Sequence, residues 1–477
     1  MPGQWLLARF CRTDEQKHAI LWILGFWALM AFPAIALRSA HFEEGTVLSL
    51  ARGAVEEGHW LTPFRYGARF VERPVLLSWI IAAISEVTGG VTMWTTRIPH
   101  VLFLLAGAWL VYDLVKRATG GKAAALFGAL CWFGAPMIAQ KFITAEPDVT
   151  LSVLLFAVFY VWWKSLVADR LTLSRWLLIG VLLGIAGLTK GPQPVGYVTL
   201  GIGAYMLIKR QFADLPGFVL ANLIAALMIG SWYFMVATPQ DTEGWEVHSR
   251  ILTKRGWPLL MDHVDFIVSL FVEWLPGSIL LGPAVIILAR QPRNRDHDLL
   301  LAATLYALMC TLVLLLWPGG VASRYAMPGN LGLAVVAGLM FQRWRQSHSR
   351  VIAITLVTAY LICSTIIVLG WVAMPLKTTL FQESKIAGQT INAVRKSVPG
   401  PMYVITESVE HNMLAYVAGP IREVALKQLT TLTAPAIAVM TPEEQDELAR
   451  MKPTLRLQDR ATVRSHHEDL KVVEIQP

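Results

Sequence analysis

Apolar runs recur along the first three-quarters of the chain, and short polar segments separate them. A helix needs about 17–25 predominantly apolar residues to cross the hydrocarbon core of a bilayer. We therefore predict an all-α polytopic membrane domain with about 11 to 13 transmembrane helices. The eleven runs that we interpret as spans lie near residues 19–37, 98–115, 122–140, 148–166, 175–189, 193–208, 216–236, 266–289, 298–316, 326–342 and 351–374.

Lys and Arg are concentrated in the short segments 9–17, 116–122, 164–175, 209–210, 290–295 and 343–350. Basic loops stay in the cytoplasm, so this pattern places the N-terminus inside and the C-terminus outside. The apolar segment 75–88 is short for a span and would invert every later basic loop if it were one. We interpret it as an interfacial or re-entrant helix within a first external loop, residues 38–97.

The composition changes after Lys377. Residues 381–397 alternate charged and apolar groups at helical spacing, and Thr441-Pro442-Glu443-Glu444 is typical of a helix start. We predict a small periplasmic α/β domain at 377–477, after a membrane domain at 1–376. Its predicted strands are 402–405, 436–440 and 470–475, and a further helix is predicted from about Ser408.

The overall composition also indicates a membrane protein. Of the 477 residues, 55% are hydrophobic and 16% are charged, whereas soluble domains carry about 25% charged residues. The net charge of +8 is spread over short loops, which indicates membrane topology and not a nucleic-acid partner. The four cysteines show neither disulfide nor metal-ligand spacing. The composition therefore predicts a polytopic membrane protein, with the lipid bilayer as solvent.

Two groups of acids stand at predicted external span ends. Glu43 and Glu44 follow the first span, and Asp148 opens a later one. A carboxylate there could act as a general base toward an acceptor hydroxyl. The alternative is structural, because acidic residues are favourable in the first turn of any helix.

Cations gather at the same predicted membrane face: Arg73, Lys190 and Arg324, the last followed by Tyr325. They could hold a phosphate and stabilise charge on it as it departs. Each could equally be a helix-end residue favoured by the helix dipole, or a side chain that snorkels to the interface. His263 could bind a divalent metal ion with Glu72 as partner, although a lone His is more often structural.

Several motifs, in order, resemble those of the GT-C glycosyltransferases that use lipid-phosphate sugars. They include Glu72-Arg73-Pro74-Val75, Arg97-Ile98-Pro99 and Pro147-Asp148. The run Gly187-Leu188-Thr189-Lys190-Gly191-Pro192 and the run Ser323-Arg324-Tyr325-Ala326-Met327-Pro328 follow. Within that class the chain is most similar to the lipid A aminoarabinose transferases and the protein O-mannosyltransferases.

The resemblance implies a role for each residue. Glu43 would be the catalytic base, with Glu44 as the acid that could share its task, and Asp148 would be the second acid. The donor phosphate would be held by Arg73, Arg97, Lys190 and Arg324, with Tyr325 lining the pocket. Glu72 and His263 would hold one divalent metal ion, Zn²⁺ or similar, as the only cofactor.

The implied reaction moves a sugar from a polyprenyl-phosphate donor to lipid A or another envelope acceptor, with inversion. A protein acceptor on the same scaffold, a transporter or flippase, and a non-catalytic membrane scaffold are the alternatives. Two positions depart from the family pattern. Glu43 stands where Asp is usual, and Arg73-Pro74-Val75 stands for Lys-Pro-Pro, so that a planar guanidinium replaces a point charge.

Overall fold

The computed structural model describes residues 16–346 and 382–476, together with residue 370. Residues 143, 242–253, 291–294, 318, 320, 399, 406–408, 410 and 466–467 fall outside this description. The predicted span 351–374 also lies outside the described residues, apart from residue 370. The described part is mostly helical in its membrane half and ends in a mixed sheet.

The helices of the membrane half account for most of the predicted apolar runs. They are α1 (Gln16–Leu37), α2 (Glu44–Glu57), α3 (Leu76–Thr88), α4 (Met93–Thr119), α5 (Lys122–Gly134), α6 (Pro136–Lys141), α7 (Pro147–Val167), α8 (Leu173–Lys190), α9 (Val195–Lys209), α10 (Leu215–Val236), α11 (Trp257–Glu273), α12 (Gly277–Arg290), α13 (Arg295–Leu315) and α14 (Met327–Gln346). Among the described residues, five helices are long and apolar enough to cross a membrane, and a bent pair makes six. The polytopic prediction is thus confirmed, whereas the count of 11 to 13 spans stays a prediction.

Two of the predicted spans are broken. The prediction of one helix over 266–289 was wrong, because α11 and α12 meet at a bend of 94°. The predicted span 122–140 is divided at Ala135, where Pro136 opens α6. A proline has no N–H to donate and fits the first turn of a new helix better than the interior of an old one.

Small residues allow α8 and α10 to pack closely. A Cβ added at Gly180 would lie 2.9 Å from the backbone of Ala221, and one at Gly184 would lie 2.4 Å from Met228. Close approach through small residues is the usual way that helices associate in a bilayer. The packing fixes the C-terminal end of α8, where Lys190 is the last helical residue before Gly191.

The first external loop carries its own structure. Helix α2 begins directly after Glu43, a two-residue hairpin pairs β1 (Phe64–Arg65) with β2 (Ala68–Arg69), and α3 follows. Helix α3 coincides with the segment 75–88 and packs on α2 through Leu77 and Ile81. The loop is therefore an ordered layer above the membrane helices and not an extended linker.

The C-terminal part contains α15 (Glu383–Ser397), β3 (Met402–Ile405), α16 (His411–Leu414), β4 (Ile421–Val424), β5 (Ala436–Met440), α17 (Pro442–Met451), β6 (Arg456–Ser465) and β7 (Glu468–Gln476). The sheet order is β4-β3-β5-β7-β6, parallel among β4, β3 and β5 and antiparallel for β7 and β6. The three predicted strands are confirmed, and the predicted Thr441–Glu444 capping box starts α17. Strands β4 and β6 were not predicted, and the helix expected from Ser408 is only four residues long.

Candidate active site

Four separate segments bring the candidate side chains together. Glu43 is the residue before α2, and Asp148 lies in the first turn of α7. Lys190 ends α8, and Arg324 and Tyr325 lie in a short 3₁₀ helix, Ser323–Ala326. The positions of Glu43, Asp148 and Lys190 suit their charges, since a carboxylate is stabilised at a helix N-terminus and a cation at a C-terminus.

Glu43 is held between two guanidinium groups. Its Oε2 accepts a hydrogen bond from Arg73 Nη2 at 2.7 Å, and its Oε1 lies 3.1 Å from Arg324 Nη2. The Glu43 side chain is 19% exposed, so solvent can reach it. The Arg73 guanidinium also lies 5.8 Å from the centre of the Phe70 ring, a contact that fixes its plane.

Asp148 forms the second ion pair, with Lys190. Lys190 Nζ donates to Asp148 Oδ1 at 2.6 Å, and both side chains are at least nine-tenths buried. The same ammonium lies 4.7 Å from the centre of the Tyr325 ring, and the Arg324 guanidinium lies 5.5 Å from that centre. Tyr325 therefore separates the two cations and links the two ion pairs.

A cavity of about 460 Å³ opens beside these groups. Arg73, Asp148, Lys190 and Tyr325 line it, whereas Glu43 and Arg324 are not among its lining residues. The remaining lining residues are Leu151, Gln193, Pro194, Tyr197, Trp317, Val321 and Ala322. Its mixture of apolar wall and convergent charges is typical of a binding site for a ligand with a charged head and an apolar body.

The site has more positive than negative charge. Burial lowers the pKa of Arg324, but the nearby carboxylates of Glu43 and Asp148 outweigh burial and raise it above its ordinary value. A further buried pair, Lys141 Nζ with Glu146 Oε2 at 2.7 Å, lies behind this layer. Four cations thus face three carboxylates, which leaves one positive charge for a bound anion.

Glu44 and Arg97 bind each other and do not line this cavity, and the roles predicted for them stay predictions. Glu44 is fully buried and accepts two hydrogen bonds from Arg97, both at 2.8 Å. It also accepts the backbone N–H groups of His41 and Ala145. Arg97 donates its remaining N–H groups to the carbonyls of residues 35, 38 and 39. Neither side chain has capacity left for an acceptor or a phosphate, and the pair instead ties the start of α2 to α4 and α7.

The predicted metal ligands form no complete metal site in the described part of the chain. His263 Nε2 is buried without a hydrogen-bond partner, which is compatible with a ligand, whereas Glu72 is exposed. No group of three or more His, Cys, Asp or Glu residues converges among the described residues. Zinc in proteins takes three or four protein ligands, so this donor set falls short, and the metal ion stays a prediction.

Sequence reasoning missed four residues that matter here. Gln193 and Tyr197 follow the Lys190 motif and line the cavity, and Trp317 lies across from them. Asn412, in the C-terminal domain, contacts the backbone on either side of Glu43. Position in the chain gave a signal for Gln193 and Tyr197 alone, since they follow a recognised motif by one and five residues.

The comparisons with known proteins agree with this geometry. Residues 72–234 match the family model described as dolichyl-phosphate-mannose-protein mannosyltransferase. The undecaprenyl phosphate-alpha-4-amino-4-deoxy-L-arabinose arabinosyl transferase of Pseudomonas paraeruginosa is 27% identical over 317 residues, which are 64% of this chain and 56% of that protein. The protein of the same name from Erwinia tasmaniensis is 28% identical over 234 residues, 48% of this chain and 42% of that protein. The chain therefore spans about half the length of these relatives.

Solved structures extend the likeness to nearly the whole chain. The crystal structure of ArnT from Cupriavidus metallidurans bound to undecaprenyl phosphate has a TM-score of 0.73 at 18% identity, over 95% of this chain and 97% of that one. The archaeal oligosaccharyltransferase AglB from Archaeoglobus fulgidus, in complex with an inhibitory peptide and a dolichol-phosphate, has a TM-score of 0.54 at 12% identity, over 92% and 69%. The resemblance inferred from the motifs is confirmed: residues 72–234 match the dolichyl-phosphate-mannose-protein mannosyltransferase family model, and the chain has the fold of ArnT.

Proposed function

We propose that this chain is an inverting glycosyltransferase that takes a sugar from a polyprenyl-phosphate donor at the periplasmic face of the inner membrane. The acceptor is lipid A or another envelope molecule. One observation carries the proposal: two ion pairs, Glu43 with Arg73 and Arg324, and Asp148 with Lys190, meet beside a single cavity. The relatives described above are named for undecaprenyl phosphate and 4-amino-4-deoxy-L-arabinose, and this supports the choice of donor.

The charge of the site suits the donor. A polyprenyl-phosphate sugar is a phosphodiester with one negative charge, and the leaving polyprenyl phosphate gains a second. The surplus positive charge of the site fits the first, and Arg73, Arg324 and Lys190 are placed to stabilise the second. A charge pair 4 Å apart near a protein surface is worth about 4 kcal/mol, so three cations can contribute substantially to the departure of the phosphate.

The chemical step is a single displacement. The acceptor oxygen attacks the anomeric carbon as the carbon–oxygen bond to phosphate breaks, and that electron pair stays on the phosphate oxygen. A hydroxyl acceptor must lose a proton, for which Glu43 is the base. A lipid A phosphate acceptor is already ionised, and Glu43 then serves mainly to orient Arg73 and Arg324.

The pairing of Glu43 with two arginines also suggests how the site responds to its donor. Arg73 and Arg324 both contact Glu43, so a donor phosphate competes with the carboxylate for the two guanidinium groups. Guanidinium groups bind phosphate and carboxylate in similar geometry. Donor binding would therefore loosen Glu43 and make it available to the acceptor.

The distribution of charge in the spans disfavours a transporter. In the five candidate spans, Asp, Glu, Lys and Arg lie within about two helical turns of either end. Transporters place coupling and substrate sites near the bilayer midplane, where ionisable residues then lie within the spans. A protein O-glycosyltransferase on the same scaffold remains the second candidate, since the cavity sets no limit on the acceptor.

The test is mass spectrometry of lipid A and of glycoproteins from a strain that lacks this chain, beside the complemented strain. Loss of one sugar mass from lipid A, restored by the wild-type chain, is the expected result. Loss of sugar from glycoproteins with unchanged lipid A would identify the protein O-glycosyltransferase. Unchanged lipid A, glycoproteins and other envelope glycans would overturn the proposal.

A further inference from the structure

The C-terminal domain contacts the backbone of the proposed base. The side chain of Asn412 lies between the residues that flank Glu43: its Nδ2 donates to the carbonyl of Phe42 at 3.0 Å, and its Oδ1 accepts from the N–H of Gly45 at 3.0 Å. Asn412 is 4% exposed, so water competes little for these bonds. One amide therefore fixes both sides of Glu43 with one donor and one acceptor.

The backbone at this point needs such support. Phe42 has φ of +50°, a left-handed conformation that a residue with a bulky side chain rarely adopts. Such conformations persist when surrounding contacts over-determine them, and they cluster at functional sites. The carbonyl of Phe42 that Asn412 binds is the group whose direction this conformation sets.

The two segments approach too closely for any side chain at position 45. A Cβ at Gly45 would lie 2.4 Å from the carbonyl oxygen of His411 and 2.7 Å from the nitrogen of Asn412. The contact is therefore backbone against backbone, with the amide of Asn412 across it. This is a close fit of the kind that a merely tethered domain would not need.

Further hydrogen bonds hold the register of the two segments. Arg52 donates to the carbonyl of Leu414, the last residue of the helix α16 that carries Asn412, and to those of Ala415 and Val417 just after it. The hydroxyl of Tyr416 accepts the N–H of Ala40 at 2.7 Å. The four contacts fix α16 against the start of α2, so a shift of the C-terminal domain would move Phe42 and Gly45 with it.

From these contacts we infer that Asn412 is a positioning residue for Glu43, through which the C-terminal domain sets the geometry of the active site. The inference rests on the proposed function, in which Glu43 acts as base and as anchor for Arg73 and Arg324. Glu43 contacts those cations at 2.7 and 3.1 Å, and a displacement of about 1 Å at a reacting group can cost about a hundredfold in rate. Asn412 is not among the lining residues of the cavity, and its hydrogen bonds to Phe42 and Gly45 carry its effect through the backbone of residues 42–45.

The test uses the full-length protein in lipid nanodiscs, with undecaprenyl-phosphate aminoarabinose as donor and lipid A as acceptor. Asn412→Ala is expected to lower kcat about tenfold to a hundredfold while KM for the donor changes less than threefold. Asn412→Asp keeps the acceptor for Gly45 but loses the donor to Phe42, and an intermediate kcat is expected. The matched control is Asn392→Ala, which removes another amide–backbone hydrogen bond of the same domain, to the N–H of Ala418.

A second measurement tests how firmly the backbone around Glu43 is held, and it does not depend on catalytic turnover. Hydrogen–deuterium exchange of a peptide over residues 40–50 is expected to be faster in Asn412→Ala and unchanged in Asn392→Ala. Equal exchange in the two variants, or a kcat of Asn412→Ala within twofold of wild type while Glu43→Ala is inactive, would overturn the inference. A Glu43→Ala variant with the wild-type rate, or no transfer by the wild-type chain, would instead count against the proposed function, and exchange would still decide the positioning role.

Discussion

Shortening Glu43 to Asp is the sharpest single perturbation of this site. The carboxylate would withdraw by about one carbon–carbon bond, roughly 1.5 Å. Its contacts with Arg73 Nη2 and Arg324 Nη2 are now 2.7 and 3.1 Å, and on a fixed backbone both would lengthen to about 4 Å or more. At that separation neither guanidinium is hydrogen-bonded to the carboxylate.

We expect Glu43→Asp to lower the transfer rate about a hundredfold, which corresponds to about 2.7 kcal/mol in the activation free energy. The assay is release of undecaprenyl phosphate from the aminoarabinose donor in nanodiscs, with the acceptor saturating. The control is Glu56→Asp, the same shortening on the exposed face of α2. Glu43→Gln separates the two acceptor classes, because it should be inactive toward a hydroxyl and partly active toward an ionised phosphate. A Glu43→Asp rate within threefold of wild type would refute the reasoning.

Four further outcomes are expected. Asp148→Asn should weaken transfer at least tenfold, because Lys190 loses its partner in a buried pair; isothermal titration with undecaprenyl phosphate checks whether binding falls as well. Glu44→Gln should lower the free energy of unfolding by about 3–5 kcal/mol, because it leaves Arg97 buried without its charge partner. A thermal melt measures this loss, and normal stability with lost turnover would contradict the structural role of Glu44. Gly180→Val should lower the melting temperature, since its Cβ would meet the Ala221 backbone, whereas Gly230→Val has open space and should not. Burial raises the pKa of Glu423 in the C-terminal domain, so the folded state binds its proton more tightly than the unfolded state does. The melting temperature of wild type, compared with that of Glu423→Gln, should therefore rise as the pH falls from 7 toward 4.5. A difference in melting temperature that stays constant over this pH range would contradict the reasoning.

Local signals predicted much of the fold. The apolar runs, the strands at Met402–Ile405 and Ala436–Met440, and the Thr441 cap are all set by short-range periodicity or side-chain capping, and the structure contains them. The bend between α11 and α12 was missed because the run 266–289 is apolar throughout, and a hydropathy pattern does not distinguish one long helix from two packed ones. Strand β4 was missed because its four residues alternate weakly and depend on pairing with β3 for their conformation.

The candidate site shows the same contrast between features that local sequence signals predict and features that only three-dimensional contacts reveal. Glu43, Asp148, Lys190 and Arg324 stand at predicted external span ends, and Arg73 lies in the predicted first external loop. The shared membrane face and the motif resemblance together grouped these residues, and the structure pairs them. Glu44 and Arg97 stand at equally polar external positions, and only the three-dimensional contacts reveal that they bind each other. Asn412 is more than 360 residues from Gly45 and belongs to no motif, so no sequence signal could connect it to the base.

The most direct test of the central claim is transfer of a sugar from undecaprenyl-phosphate aminoarabinose to lipid A by the purified chain, followed by mass spectrometry of both products. Wild type should release undecaprenyl phosphate and add one aminoarabinose to lipid A, and Lys190→Met should do neither at a measurable rate. Lys190→Met that transfers at the wild-type rate, or a wild-type chain that transfers the sugar to no envelope acceptor, would contradict the account.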